Sequence, residues 1–102
     1  MDEHALLRTT ADRLEGLAAR TTPGDWRTGG LLASRPEVIA HEDGSTEHVA
    51  EARARTAAWI SALSPAVGAP LAAWLRAAAG QAEVEPAAVA LARVLLERLP
   101  PG

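Results

Sequence analysis

The fold of this chain is decided by the stretch Thr21–Trp26, which reads TTPGDW. Pro and Gly stop a helix, because Pro lacks a backbone N–H and Gly favours turn conformations. The residues before this stretch repeat apolar side chains at helical spacing, whereas those after it alternate short apolar runs with turn residues. The stretch therefore predicts an N-terminal helix followed by a small β segment.

Composition predicts one domain with a thin core. The chain has 102 residues, which is one domain's length, so residues 1–102 are expected to fold as a single domain. Of these, 24 are Ala and three are aromatic, all Trp. Ala favours helix but buries little area. Leu, Val, Ile and Trp must therefore carry most of the packing.

A helix is expected at residues 3–20. Leu7, Ala11 and Leu14 recur at three- and four-residue spacing, which places them on one helical face. Asp2 stands at the N-cap position, where a carboxylate accepts a hydrogen bond from a free backbone N–H of the first turn. The Thr21–Trp26 stretch ends this helix.

Residues 26–41 are expected to form a β-hairpin. Apolar runs at 31–33 and 38–40 flank a polar, Pro-containing turn, a pattern typical of paired strands. A second turn is predicted at Glu42–Ser45, where Asp and Gly stand together.

Three further helices are predicted, at 46–63, 65–79 and 86–99. Ser64 and Pro65 supply an N-cap and a first helical residue between two of them. Trp59 and Trp74 follow the apolar spacing of their helices, so both are expected in the core. The predicted fold is α+β and mainly helical, with about four helices and a small β-hairpin between the first and second.

Charge and composition bear on compartment and partners. The net charge is −3, and an acidic chain argues against nucleic-acid binding. The first four residues include Asp2 and Glu3 where a signal peptide is basic. The spacing of charged and polar residues predicts no apolar run near the ~20 residues of a membrane span. We therefore expect a cytoplasmic protein without membrane contact.

Catalytic and metal-binding motifs are sparse. His41 and His48, with the acidic residues around them, are the best candidate metal ligands, yet their spacing fits a solvated loop better than a converging ligand set. The sequence has no Cys and no hydrolase, P-loop or dinucleotide motif. We therefore expect no catalytic residue, cofactor or metal, and not an enzyme.

Four residues are candidates for a protein-interaction surface: Trp26, Arg27, Arg53 and Arg76. Trp offers a large contact area at low entropic cost, although packing between the first helix and the hairpin is the simpler explanation of Trp26. Arg53 and Arg76, with Arg55, form the main basic concentration on neighbouring predicted helices. A DNA-binding helix pair is therefore an alternative, weakened by the lack of a Gly-containing turn between the helices.

The order of these features resembles a group of small actinobacterial and actinophage proteins. Their plan is an N-terminal helix, a T-P-G-x-W element, a strand pair and further helices, and phage Ead-like proteins share it. The pattern here is carried by Thr22–Trp26, with Asp25 replacing a small residue or Pro, by the run Val38–Ala40, and by His48–Ile60. All ten basic residues are Arg, as in high-GC genomes. The resemblance implies an accessory role and no catalytic residues.

Three functional hypotheses follow. The first is a small cytoplasmic accessory protein of phage or mobile-element origin, which binds a protein partner or forms a homodimer. The second is a DNA-binding regulator that uses the helices at 46–63 and 65–79. The third is a small metal-dependent protein or enzyme that uses the window from His41 to His48.

Overall fold

A computed structural model describes residues 1–30 and 35–101 of the chain. Helices account for 56% of these residues, and three strands form an antiparallel sheet. The fold is therefore α+β and mainly helical, as predicted. In chain order the elements are α1 (Glu3–Ala19), β1 (Asp25–Gly29), β2 (Glu37–Glu42), β3 (Ser45–Glu51), α2 (Ala54–Ala62), a 3-10 turn (Pro65–Val67), α3 (Gly68–Ala79) and α4 (Pro86–Arg98).

The chain forms two compact units, and the prediction of a single domain stays a prediction. The first unit combines Met1–Arg20 with the chain from Gly68 onward, and in it α1 packs against both α3 and α4. Five of its nine buried core residues are Ala, which lets the helices approach closely. The core consists of Leu6, Leu7, Ala11, Ala72, Leu75, Ala79, Ala88, Val89 and Ala92.

The start and end of α1 follow the sequence prediction. The Asp2 carboxylate accepts a hydrogen bond from the backbone N–H of Ala5 at 2.7 Å, and this bond lowers the pKa of Asp2. The helix ends at Ala19, just before the Thr21–Trp26 stretch. Inside the unit, the buried Thr10 hydroxyl donates to the carbonyl of Leu6 at 2.7 Å, so its polar atom is satisfied.

The second unit, Thr21–Val67, holds the sheet and α2. The strand order is β1-β2-β3, and α2 contacts β1 and β2. Trp26 pairs with Ala40 in the register of β1 and β2, and paired residues point to the same face of a sheet. Val38, Ala40 and Ala57 are buried, so this face of the sheet and one side of α2 form the unit's small core.

The prediction of a helix over 46–63 is wrong at its first half. Residues Ser45–Glu51 form β3, and the helix begins only at Ala54. The reason lies in the preceding turn, where Asp43 and Gly44 both have positive φ, of 49° and 78°. Two central residues with positive φ make the hairpin turn whose twist matches that of paired strands, and Glu42 pairs with Ser45 across it. The chain therefore continues as a strand.

The predicted β-hairpin over 26–41 is also corrected. The strand that pairs with β2 is Asp25–Gly29, and β3 makes the sheet three-stranded. The apolar run 31–33, expected as a strand, lies outside the described residues. The Pro-containing turn chemistry indicated the reversal of the chain but not which flanking residues pair.

The predicted break between the helices 46–63 and 65–79 is only partial. Pro65 begins a 3-10 turn, as its fixed φ favours, and the Ser64 hydroxyl accepts a hydrogen bond from the N–H of Ala66 at 3.4 Å. Counted with this turn, Ala54–Ala79 is one interrupted helical stretch, so the described residues form three helical segments, not four separate helices. The last helix begins at Pro86, as predicted.

Both Trp residues expected in the core are exposed. Trp59 is 67% exposed and Trp74 is 45% exposed. In α2 the buried position is Ala57, and a residue two positions along a helix points to nearly the opposite side. In α3 the buried positions include Leu75, and its neighbour Trp74 lies about 100° around the helix from it. Apart from Leu75, the buried positions of these two helices carry Ala or Gly, and neither Trp faces inward.

Replacing Trp59 by Ala is expected to lower the free energy of unfolding by less than about 1 kcal/mol, because an exposed side chain leaves no cavity. A buried Trp in its place would cost ~3–5 kcal/mol. Chemical denaturation of the wild type and the variant distinguishes the two cases. A loss near the larger figure would mean that Trp59 is covered in solution.

Candidate functional site

Trp26 and Arg27 lie together on β1 but have different surroundings. The Trp26 indole is half-buried, and its Nε1–H donates to the carbonyl of Thr22 at 3.0 Å. Its hydrogen-bonding group is therefore used within the second unit. Arg27 is exposed, and its Nε–H donates to Asp25 at 2.6 Å. An ion pair in solvent contributes little to stability, so Arg27 remains an accessible charge.

Arg53 and Arg76 belong to different units and have different roles. Arg53 is exposed at the N-cap of α2, where its side chain makes no capping bond. Arg76 donates to Asp12 at 2.9 Å and to Glu15 at 3.1 Å, and so joins α3 to α1. The hydrogen bonds to Glu15 and then Asp12 raise the pKa of Arg76. Its charge is therefore balanced within the first unit.

The histidines are spread over two units. His41 lies on β2 and His48 on β3, where the His48 Nδ1 is 3.3 Å from a carboxylate oxygen of Glu37. The third, His4, has its Nε2 within 2.9 Å of the Gln81 carbonyl in the first unit. Among residues 1–30 and 35–101, three potential ligands of the His, Asp and Glu types nowhere come close enough to hold a metal ion.

The outer face of α2 is the most exposed apolar surface of the second unit that the structure describes. Trp59 and Leu63, which follows at the C-cap, are four residues apart and therefore on one side, and Leu63 is 53% exposed. Across α2, Ala57 is the buried residue. The sequence-based prediction missed this surface, because it placed Trp59 in the core.

The first unit has a shallow groove of about 340 Å³. It lies where the end of α3 meets the linker to α4 and the start of α4. Its lining consists of Trp74, Ala77, Ala78, Gln81, Glu83 and Glu85. The lining thus includes one aromatic residue and two acidic residues, a combination that suits a cation better than an anion.

Comparison with protein-family models, curated proteins and solved structures finds no match for this chain.

The stretch Ala54–Ala79 also meets the length and composition of a membrane span. It has 26 residues, and its most apolar 18-residue window has a mean hydropathy of 1.3. Of that window, 22% is buried. This corrects the expectation that no apolar run approaches such a length, since no charged residue lies between Arg55 and Arg76. A single stretch of this kind is weak support for a span, because a core helix of a soluble protein passes the same test.

Proposed function

We propose that this chain is a protein-binding accessory module and that it engages its partner through the outer face of α2. The observation that carries the proposal is the exposure of Trp59, at 67%, beside Leu63, at 53%. Trp is enriched among the few residues that dominate binding energy at interfaces. In a chain whose three aromatic residues are all Trp, leaving one of them largely in water is costly unless another surface covers it.

The packing of α2 supports the same proposal. The helix has nine residues, far fewer than an isolated helix needs to be stable in water, and Ala57 alone is its buried anchor among the described residues. A partner that covers Trp59 and Leu63 removes apolar area from water, at roughly 1.5–3 kcal/mol for each large side chain fully buried. Such a partner also holds α2 in its helical form.

The partner surface should be apolar, with acidic groups at one edge that can face basic residues of α2. Ala58 and Ala62 lie beside Trp59 and are exposed, so a partner helix could approach the backbone of α2 closely. Arg53 and Arg55 at the start of the helix add positive charge to one end of the face. A second copy of the chain is one partner of this kind, and homodimerisation belongs to the proposal.

DNA binding and metal-dependent catalysis have less support. The DNA-binding hypothesis needs Arg76 to reach a phosphate, yet Asp12 and Glu15 occupy its guanidinium. The metal hypothesis needs converging ligands, and within residues 1–30 and 35–101 no third potential ligand joins His48 and Glu37. A cytoplasmic location and a phage or mobile-element origin remain parts of the proposal, and the origin rests on the resemblance carried by Thr22–Trp26, Val38–Ala40 and His48–Ile60.

The test is affinity purification from lysate of a high-GC actinobacterium, with and without nuclease. Three baits are compared: the wild type, the double variant Trp59→Ser/Leu63→Ser, and the control Val94→Ser, which changes an exposed apolar residue of α4. We expect a protein retained by the wild type and Val94→Ser in both lysates, and lost by the double variant. Sedimentation velocity of the same three proteins reports homodimerisation.

Two outcomes would contradict the proposal. Retention of the same proteins by all three baits would show that the α2 face does not bind them. Prey that disappear with nuclease would favour the DNA-binding alternative. Circular dichroism of the double variant must match that of the wild type, so that lost binding is not mistaken for lost structure.

A further inference from the structure

The groove at Trp74 combines features that no internal contact uses. The Trp74 ring is 45% exposed, and Glu83 and Glu85 are exposed on the linker and at the start of α4. Within residues 1–30 and 35–101, neither carboxylate takes part in a hydrogen bond or an ion pair. Glu85 stands at the N-cap of α4, yet its side chain does not cap the helix. Both charges are therefore available to a ligand.

We propose that this groove binds an arginine side chain in a basic segment of another protein. A guanidinium stacks on an indole face through cation–π attraction while its N–H groups donate to carboxylates, so one arginine side chain can use both kinds of lining residue. A volume of about 340 Å³ lies at the small end of ligand sites and suits one extended side chain. The proposal uses the first unit alone and is independent of the α2 face.

The local electrostatics favour a cation. The carboxyl end of α3 and the amino end of α4 carry roughly −0.5 and +0.5 of a charge, so their effects at the groove largely cancel. Two carboxylates remain. Arg76, two residues from Trp74 and on another side of α3, is already paired with Asp12 and Glu15 and does not neutralise them. One cation, Arg8, lies beside the groove at the carbonyl of Ala79, so the two carboxylates and this guanidinium together leave one negative charge.

The end of α3 already accepts one guanidinium from within the chain. Arg8 of α1 donates from Nη2 to the carbonyl of Ala79 at 3.4 Å. Ala79 is the last residue of α3, next to the groove-lining residues Ala77 and Ala78. Arginine is thus a cation that this helix end accommodates, and the groove offers carboxylates and an aromatic ring that Arg8 does not use.

The experiment is an NMR titration of the full chain with the peptide acetyl-GRGRG-amide. Citrulline replaces each arginine in the control peptide, which keeps the shape and removes the charge. The three indole N–H signals report separately on Trp26, Trp59 and Trp74. We expect the Trp74 signal to shift saturably with the arginine peptide while the other two stay in place. The double variant Glu83→Gln/Glu85→Gln should weaken binding at least about tenfold.

Several results would overturn the proposal. These are an unmoved Trp74 signal, equal binding of the citrulline peptide, or an unchanged affinity of the Gln variant. Tetramethylammonium bound as tightly as the peptide would assign the groove to small organic cations instead. The variant Trp59→Ser, which removes the α2 contact, should bind the peptide like the wild type. Failure at one surface is therefore distinguishable from failure at the other.

Discussion

Replacing Leu75 by Ala is expected to lower the free energy of unfolding by ~2–5 kcal/mol, a large part of the ~5–15 kcal/mol of a typical domain. Leu75 is 0% exposed and is the largest buried side chain that α3 contributes to the core. The neighbours in that core are mostly Ala, which cannot extend into the space that a lost side chain leaves. The cavity should therefore stay largely open.

Urea denaturation followed by circular dichroism measures this loss, with Val94→Ala as the matched control. Val94 lies on α4 in the same unit and is 50% exposed, so its truncation is expected to change the free energy of unfolding by about 0.5 kcal/mol or less. Equal effects of the two substitutions would contradict the position of the core. Two separate transitions in the urea curve would mean that the two units unfold separately, and each transition must then be fitted on its own.

The helix ends and turns of this chain are predictable from sequence, because they depend on local chemistry. The Thr21–Trp26 stretch, the Asp2 cap and the Pro86 helix start depend on backbone conformations that a few adjacent residues determine. The Asp43-Gly44 pair belongs to the same class of signal. The sequence pattern predicts a turn at this pair and a helix after it. The preference of the pair for a two-residue hairpin favours a strand there instead.

Helix orientation was not predictable in the same way. With 24 Ala in the chain, small apolar residues lie on several sides of each helix, so a sequence-based prediction of the inner face depends on the large apolar residues. Here the inner positions of α2 and α3 include Ala57 and Ala72, so that rule placed Trp59 and Trp74 on the wrong side.

The candidate sites were hidden for a related reason. The α2 face is visible only once Trp59 is known to be exposed, and sequence spacing had assigned it to the core. The Trp74 groove depends on how the end of α3, the linker and the start of α4 come together, which no local pattern encodes. Arg76 was identified as a basic surface residue, but its pairing with Asp12 and Glu15 spans more than sixty residues of sequence.

Adding a single methyl group at Gly68 is expected to destabilise the first unit, although a Gly to Ala change in a helix normally stabilises it. A Cβ at Gly68 would lie 2.6 Å from the Cβ of Ala18, far inside van der Waals contact, so α1 and α3 must move apart. Overpacking of this kind costs ~1–3 kcal/mol. Gly16 on α1 is the matched control, because a Cβ there meets nothing within 4 Å and should add ~0.5–1 kcal/mol.

A compensating change tests whether the contact with Ala18 is the cause. In the double variant Gly68→Ala/Ala18→Gly the methyl group moves from one helix to the other and the clash disappears. The double variant should therefore be more stable than the sum of the two single variants predicts, by about 1 kcal/mol or more. Gly68→Ala raising the melting temperature as Gly16→Ala does would show that α1 and α3 are further apart than the structure has them. Additive effects of the two changes would place the strain at another neighbour of Gly68.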